Sequence, residues 1–203
     1  SVCSAPEPPV SPKTLTKDGY LLGHGIFVHS LESANIVVDD ADIVAMDDDV
    51  FENLCTGYPE LTYVDLSGTG ITGITVDRTK APFKDLPSAT FIYLPVGNKI
   101  KDGEKNVIIG GVCEDVTLYD DNPFEIPKDF TATKIRLDRD FSGVLGKKCS
   151  IMLPFELDEE TAASIGTFYK IADAVLYENK VYMETVDKTK ANGPYMFKPA
   201  KES

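Results

Sequence analysis

The sequence predicts a mainly β protein: a short parallel β solenoid stub followed by an antiparallel β-sandwich-like module. Three observations lead there. Short runs rich in β-branched residues recur between Gly, Pro, Asn and Asp from Leu21 to Tyr119. One of them carries apolar residues at the spacing of a coiling repeat. From Phe130 the pattern changes: Thr133, Ile135 and Leu137 alternate with Lys134, Arg136 and Asp138, as in a sheet with one wet face.

Charge divides the chain at the same place. The net charge is −13, and residues 1–127 carry 21 acidic and 8 basic side chains while residues 128–203 carry 12 of each. The expected organisation is a proline-rich linker over 1–20, a solenoid over 21–126 and an antiparallel β module over 127–203. An acidic surface repels phosphate backbones and anionic lipid, so neither nucleic acid nor a membrane surface is an expected partner. A cationic partner is compatible with it. No apolar run reaches the roughly 20 residues of a membrane-spanning helix.

Pro6, Pro8, Pro9 and Pro12 mark the start as an extended tether, reading like a cut end behind a removed signal or an upstream segment. Leu21–Val28 and Asn35–Val38 read as strands. His24 and His29 lie five apart, on opposite faces of a strand, so they do not chelate one metal together. Asp39, Asp40, Asp42, Asp47, Asp48 and Asp49 form an acidic cluster with two readings, a calcium site or solvated turns. Asp49 before Val50-Phe51-Glu52 has capping-box spacing, and a short helix through Cys55, stopped by Gly57, follows from it.

Leu61–Ile74, LTYVDLSGTGITGI, holds the coiling motif. Leu61, Val64, Leu66, Ile71 and Ile74 take the apolar positions of a leucine-rich repeat, and Thr69 takes the slot usually filled by Asn. In such a coil the residues around Val64 form one parallel strand, and the slot residue hydrogen-bonds the turning backbone. The segment also starts like a calcium loop, Asp65-x-Ser67-x-Thr69-Gly70. Val76 stands where the bidentate Glu is required, which removes that reading. Phe91–Leu94, Asn106–Ile109 and Val116–Tyr119 continue the sheet. Beyond Phe130, Ile151–Phe155, Thr167–Ile171, Lys180–Val186 and Pro194–Lys198 read as strands, and Asp158–Ile165 as a short helix with acids at its positive end.

No catalytic set is found. There is no G-x-S-x-G or H-E-x-x-H, and Gly146-Lys147 fails as a phosphate loop because Phe141 and Lys148 occupy required positions. Two histidines do not build a metal triad, so no metal or other cofactor is expected. Cys3, Cys55, Cys113 and Cys149 form no CxxC pair and are read as buried thiols, with a disulfide as the alternative in an exported chain. Tyr58, Tyr63, Tyr93, Tyr119, Tyr169, Tyr177 and Tyr182 are candidate sugar-stacking rings or, more plainly, packed strand residues.

The run from Asn106 to Leu157 resembles the BspA-like surface and secreted leucine-rich-repeat proteins of gut anaerobes. The resemblance rests on Gly111–Cys113, Asn-Pro-Phe at 122–124, Pro-x-Asp-Phe-Thr-Ala at 127–132, Leu-Pro-Phe at 153–155 and Ala-Asn-Gly-Pro-Tyr at 191–195, and covers about Leu61–Lys198. It implies export to the cell surface or medium, a repeat stub docked on a sandwich-like module, and no catalytic residues. Met152 stands where the family usually has Cys. The chain ends at Ser203 where the family module continues, which implies an open sheet edge suited to self-association. The resulting expectation is a non-enzymatic surface protein that binds or adheres through its repeat sheet. The alternatives are a carbohydrate-binding module using exposed tyrosines and a hydrolase with paired carboxylates.

Overall fold

The computed structural model describes residues 12–17, 26–28, 35–52, 61–120, 122–175 and 180–201. The protein is mainly β and divides into two compact units, Ser1–Asp138 and Arg139–Ser203.

The first unit is built on a seven-stranded sheet. Its strands are β2 (Ile26–Val28), β3 (Asn35–Val38), β5 (Tyr63–Asp65), β7 (Phe91–Leu94), β9 (Val107–Ile109), β10 (Val112–Tyr119) and β11 (Thr131–Asp138), in the order β11-β10-β9-β7-β5-β3-β2. β3, β5, β7 and β9 are parallel. Ile36 pairs with Val64 and Val64 with Ile92, a step of 28 residues each time (36 to 64, 64 to 92); the step to Val107 is 15 (92 to 107). Two narrow parallel ladders, β1 (Lys13–Leu15) with β4 (Ile43–Met46) and β6 (Thr75–Val76) with β8 (Lys99–Ile100), tie the same coils a second time.

Between these ladders lies the core. Alternation along each strand sends Ile36, Val38, Val64, Ile92, Leu94 and Val107 inward, where Leu61, Leu66, Ile71, Val76, Phe51 and Phe83 meet them. The turning backbone is satisfied by side chains. Thr69 Oγ1 donates to Leu66 O at 2.7 Å and accepts from Ile71 N at 3.3 Å. Asn98 serves the next coil: its Nδ2 donates to Ile71 O and Pro95 O, both at 2.9 Å, and its Oδ1 accepts from Ile74 N at 3.2 Å.

Several expectations change. Lys13–Leu15, assigned to the linker, is strand β1, with Leu15 buried in the core. β11 does not begin an antiparallel module. It pairs parallel with β10, Val112 opposite Thr131 through Tyr119 opposite Asp138, so the first unit runs to Asp138 instead of stopping at 126. Alternation reports one wet face and carries no information on the direction of the neighbouring strand. β9 and β10 form a hairpin closed by Gly110 and Gly111, both at positive φ, which the sequence reading passed over. Residues 48–52 are turn; the rest of the expected Val50–Cys55 helix lies outside the described residues, as do His24 and His29.

The second unit holds a four-stranded antiparallel sheet: β12 (Cys149–Met152), β13 (Gly166–Val175), β14 (Lys180–Val186) and β15 (Pro194–Pro199), in the order β12-β15-β13-β14. No second sheet appears among its described residues. The helix α1 (Glu159–Ile165) is capped by Asp158, whose carboxylate accepts from Thr161 N at 2.8 Å. Phe168 and Phe197, ring centroids 4.6 Å apart, form the centre, with Ile151, Leu153, Leu157 and Ala162 also buried. At Gly166 a β-carbon would lie 2.4 Å from Lys198 O and 2.6 Å from a Phe197 ring carbon. Backbone on one side and a packed ring on the other leave no room. Gly166→Ala is therefore expected to destabilise the protein by about 2 kcal/mol; an unchanged urea midpoint would contradict this packing.

Candidate functional site: the strapped face of the parallel sheet

The residues that alternate with the core point to the opposite face of the parallel sheet: Asn35, Tyr63, Asp65, Phe91, Tyr93 and Ile108. In an open sheet these would meet water. All six are buried. The cover is the chain itself. β10 and β11 are parallel neighbours, so the chain must travel back between them, and parallel pairs need such a crossover. Residues 122–130, NPFEIPKDF, make it as an extended strap.

Three side chains attach the strap. Glu125 Oε2 accepts from Asn35 Nδ2 at 2.8 Å. Lys128 Nζ lies 2.5 Å from Asp65 Oδ2 and donates to Ser67 Oγ at 2.8 Å. The Phe130 ring packs on Phe91 and Tyr93, with centroids 6.2 and 6.3 Å away, and Tyr93 meets Tyr63 edge-on at 6.4 Å. Asp65 is held independently of the strap: its Oδ1 accepts from Ser67 N at 3.0 Å and Ser67 Oγ at 2.6 Å. Burial, with the nearby Asp65 charge adding to it, pushes the Tyr93 phenol pKa well up. Its hydroxyl is sealed: the Lys128 backbone approaches it without closing a hydrogen bond of ordinary geometry.

A serine beside a lysine resembles a nucleophile with its base, but the protons are wrongly placed for it. Lys128 Nζ pairs with Asp65 Oδ2 and donates to Ser67 Oγ, and Ser67 Oγ donates to Asp65 Oδ1. The lysine donates to Ser67 instead of accepting from it, the reverse of a nucleophile–base pair. The cluster is an anchor.

The carboxylates of the first unit follow the same logic. Asp65 faces Lys128, Glu104 faces Arg78 at 2.8 Å, and Asp77 faces Lys101 at 3.0 Å. Each of these three described acids meets a cation and not a second acid across a cleft. Asp77 also accepts from Thr79 Oγ1 and Thr79 N, at 2.6 and 2.9 Å. These bonds and the Lys101 charge hold its carboxyl down at about 2, against an ordinary value of 3.8. A depressed folded-state pKa stabilises the protein above the unfolded value and loses that contribution as pH falls toward the folded one. The stability gap between wild type and Asp77→Asn is thus expected to be constant from pH 7 to about 4 and to close from there to about 2. Urea midpoints at pH 7, 4 and 2.5 read this directly, and a gap as large at pH 2.5 as at pH 7 would contradict it.

The remaining candidates do not gather. Asp40 is engaged by Lys13 at 2.8 Å and by Asp42 N at 3.0 Å, and among the described residues no three His, Cys, Asp or Glu side chains are grouped to hold a metal ion. Tyr63 and Tyr93 lie under the strap, Tyr119 and Tyr169 are half-buried, and Tyr182 is exposed; Tyr58 and Tyr177 lie outside the described residues. Cys113 and Cys149 are free thiols, and burial pushes Cys113 up to about 11. Cys3 and Cys55 lie outside the described residues. A cleft of about 430 Å³ beside the β9–β10 hairpin has an aliphatic floor of Ile100, Val107, Ile109 and Val112, with Asp102 and Glu114 at its lining.

Sequence reasoning missed the strap residues Glu125, Lys128 and Phe130. The available signal was the run itself. Pro123 and Pro127 deny it ladder donors, so it was never a strand. No protein-family model, curated protein or solved structure matches the chain.

Proposed function

We propose that the chain is a non-enzymatic, exported surface protein whose leucine-rich-repeat-like solenoid serves binding or adhesion, with the second unit as its β-sandwich-like companion. The observation that carries the reading is the parallel ladder with its 28-residue step, in which aliphatic residues face inward and Thr69 and Asn98 bond the turning backbone. That is the physical signature of a coil stacked on its neighbours, an architecture whose common use is an extended binding surface. The resemblance of residues 106–157 to BspA-like proteins supports export and surface location. Fold alone does not fix function, and the assays below separate a binding role from a catalytic one.

The sugar-binding alternative has less to stand on, because Tyr63 and Tyr93 are not available to stack on a ring. Two assays test the proposal together. Purified protein is expected to leave chromogenic glycosides and esters unturned and to bind immobilised extracellular proteins saturably. Turnover that Asp65→Asn or Asp77→Asn abolishes would overturn it. Glycan-array binding lost on Tyr182→Ala would establish the carbohydrate alternative.

A further inference from the structure

We propose that the strap at 122–130 occupies the place of a ligand, and that the face beneath it takes an extended peptide of a partner protein carrying a lysine followed two residues later by an aromatic ring. The proposal rests on the repeat sheet being a binding face and names what that face recognises.

The strap is placed on the sheet, not built into it. Residues 122–129 are exposed, Phe124 by 41 % and Ile126 by 38 %. Its backbone bonds lie at its ends, Asn122 N to Tyr119 O and Thr131 N to Gly111 O. Between them it is held by the side chains of Glu125, Lys128 and Phe130 alone among the contacts described above. This is how an extended peptide lies on a receptor: a few anchors and a solvated backbone.

Part of the face below is held without the strap. Asp65 keeps its two bonds from Ser67, and the Tyr63–Tyr93 edge contact is internal to the ladder. What the strap supplies is an ammonium for Asp65, an acceptor for Asn35 and a ring for Phe91 and Tyr93. What it meets only loosely is the hydroxyl of Tyr93, a residue 2 % exposed, which the Lys128 backbone approaches without a hydrogen bond of ordinary geometry. A ligand with a carbonyl at that point would accept from it with the geometry that the Lys128 backbone lacks. The field favours the lysine of such a ligand, because residues 1–138 carry 23 acidic side chains against 11 basic ones. Competition follows from this arrangement. The apparent affinity is the intrinsic one scaled by the fraction of molecules with the strap displaced.

The test uses the full chain and a labelled nonapeptide, Asn-Pro-Phe-Glu-Ile-Pro-Lys-Asp-Phe, beside a control with norleucine in place of lysine. Lys128→Met releases the ammonium anchor; Phe130→Ala loosens the strap while leaving Asp65 paired, and serves if the first variant does not fold. Fluorescence anisotropy is expected to show the peptide binding a folded variant at least tenfold more tightly than wild type, and the control at least tenfold more weakly than the peptide. Equal binding of the two peptides overturns the proposal. So does absence of binding at millimolar peptide to a variant whose β5 and β7 amides exchange faster than in wild type, since the face is then open and does not recognise the ligand. Dimerisation of the variants, reversed by the peptide, would assign the site to the strap of a second copy and overturn the partner-protein proposal. None of these outcomes depends on the turnover and matrix-binding assays that test the surface-protein reading.

Discussion

Replacing Asn106 by alanine is expected to destabilise the protein by about 4 kcal/mol, among the largest effects of any single substitution in the first unit. Asn106 is completely buried and sits at a φ of 58°, a conformation that Asn tolerates better than most residues. Its side chain closes the gap between the parallel coils and the β9–β10 hairpin. Nδ2 donates to Thr117 O at 2.9 Å and to Ser88 O and Ala89 O at 3.3 Å, while Oδ1 accepts from Thr117 N at 2.8 Å. Its own backbone donates to Asp115 O at 2.9 Å and accepts from Ile92 N at 2.9 Å. Alanine keeps the backbone bonds and strands the rest: a buried N–H and several carbonyls lose their partner with no water to replace it. Asn106→Asp is expected to be at least as costly, since it keeps the acceptor for Thr117 N but turns a buried carboxyl oxygen toward the Ser88, Ala89 and Thr117 carbonyls. Urea unfolding reads both, and a loss below about 1 kcal/mol for the alanine variant would show that the site relaxes in a way this geometry does not allow.

Glu104→Ala is expected to cost about 4 kcal/mol for a different reason. Arg78 is nearly enclosed, and its guanidinium donates to Glu104 Oε2 at 2.8 Å, Lys105 O at 2.9 Å and Thr90 O at 2.6 Å. Burial pulls its pKa down and Glu104 works against that. Its Nε already lacks a partner, so it has no spare bond with which to absorb the loss of the carboxylate. Glu104 also accepts from Arg78 N at 2.6 Å, which fixes the turn after β6. Removing the acid leaves an uncompensated buried cation. Removing both, as Arg78→Met with Glu104→Leu, is expected to recover most of the loss, because well-packed apolar residues replace a buried ion pair at little net cost. A double variant as unstable as the single one would show that the backbone bonds to Thr90 and Lys105, not the charge pair, carry the site.

How much of this was legible beforehand depends on the type of signal. The inward set Leu61, Val64, Leu66 and Ile71 was readable because spacing alone places it, and Thr69 bonds the turning backbone. The strands near Asn35, Phe91, Lys180 and Pro194 were readable from β-branched runs and their breakers. Strand direction was not. Thr131–Asp138 alternates in the same way whether its neighbour runs with it or against it, so the boundary was set near 126 when the ladder continues to Asp138. Nor was the strap readable, because Lys128 and Asp65 are far apart in sequence and no local pattern joins them. The open tyrosine face failed for the same reason. Tyr63 and Tyr93 have the right alternation to be wet, and only the crossover between β10 and β11 covers them.

The crossover between β10 and β11 decides whether this face is covered, and one measurement addresses it directly. Nuclear Overhauser contacts between the Phe130 ring protons and those of Phe91 and Tyr93 are expected at the centroid separations of 6.2 and 6.3 Å. Their presence in solution places the strap on the outer face of the parallel sheet. Their absence, with the Tyr63 and Tyr93 rings contacting each other but not Phe130, would show that face open and contradict the account.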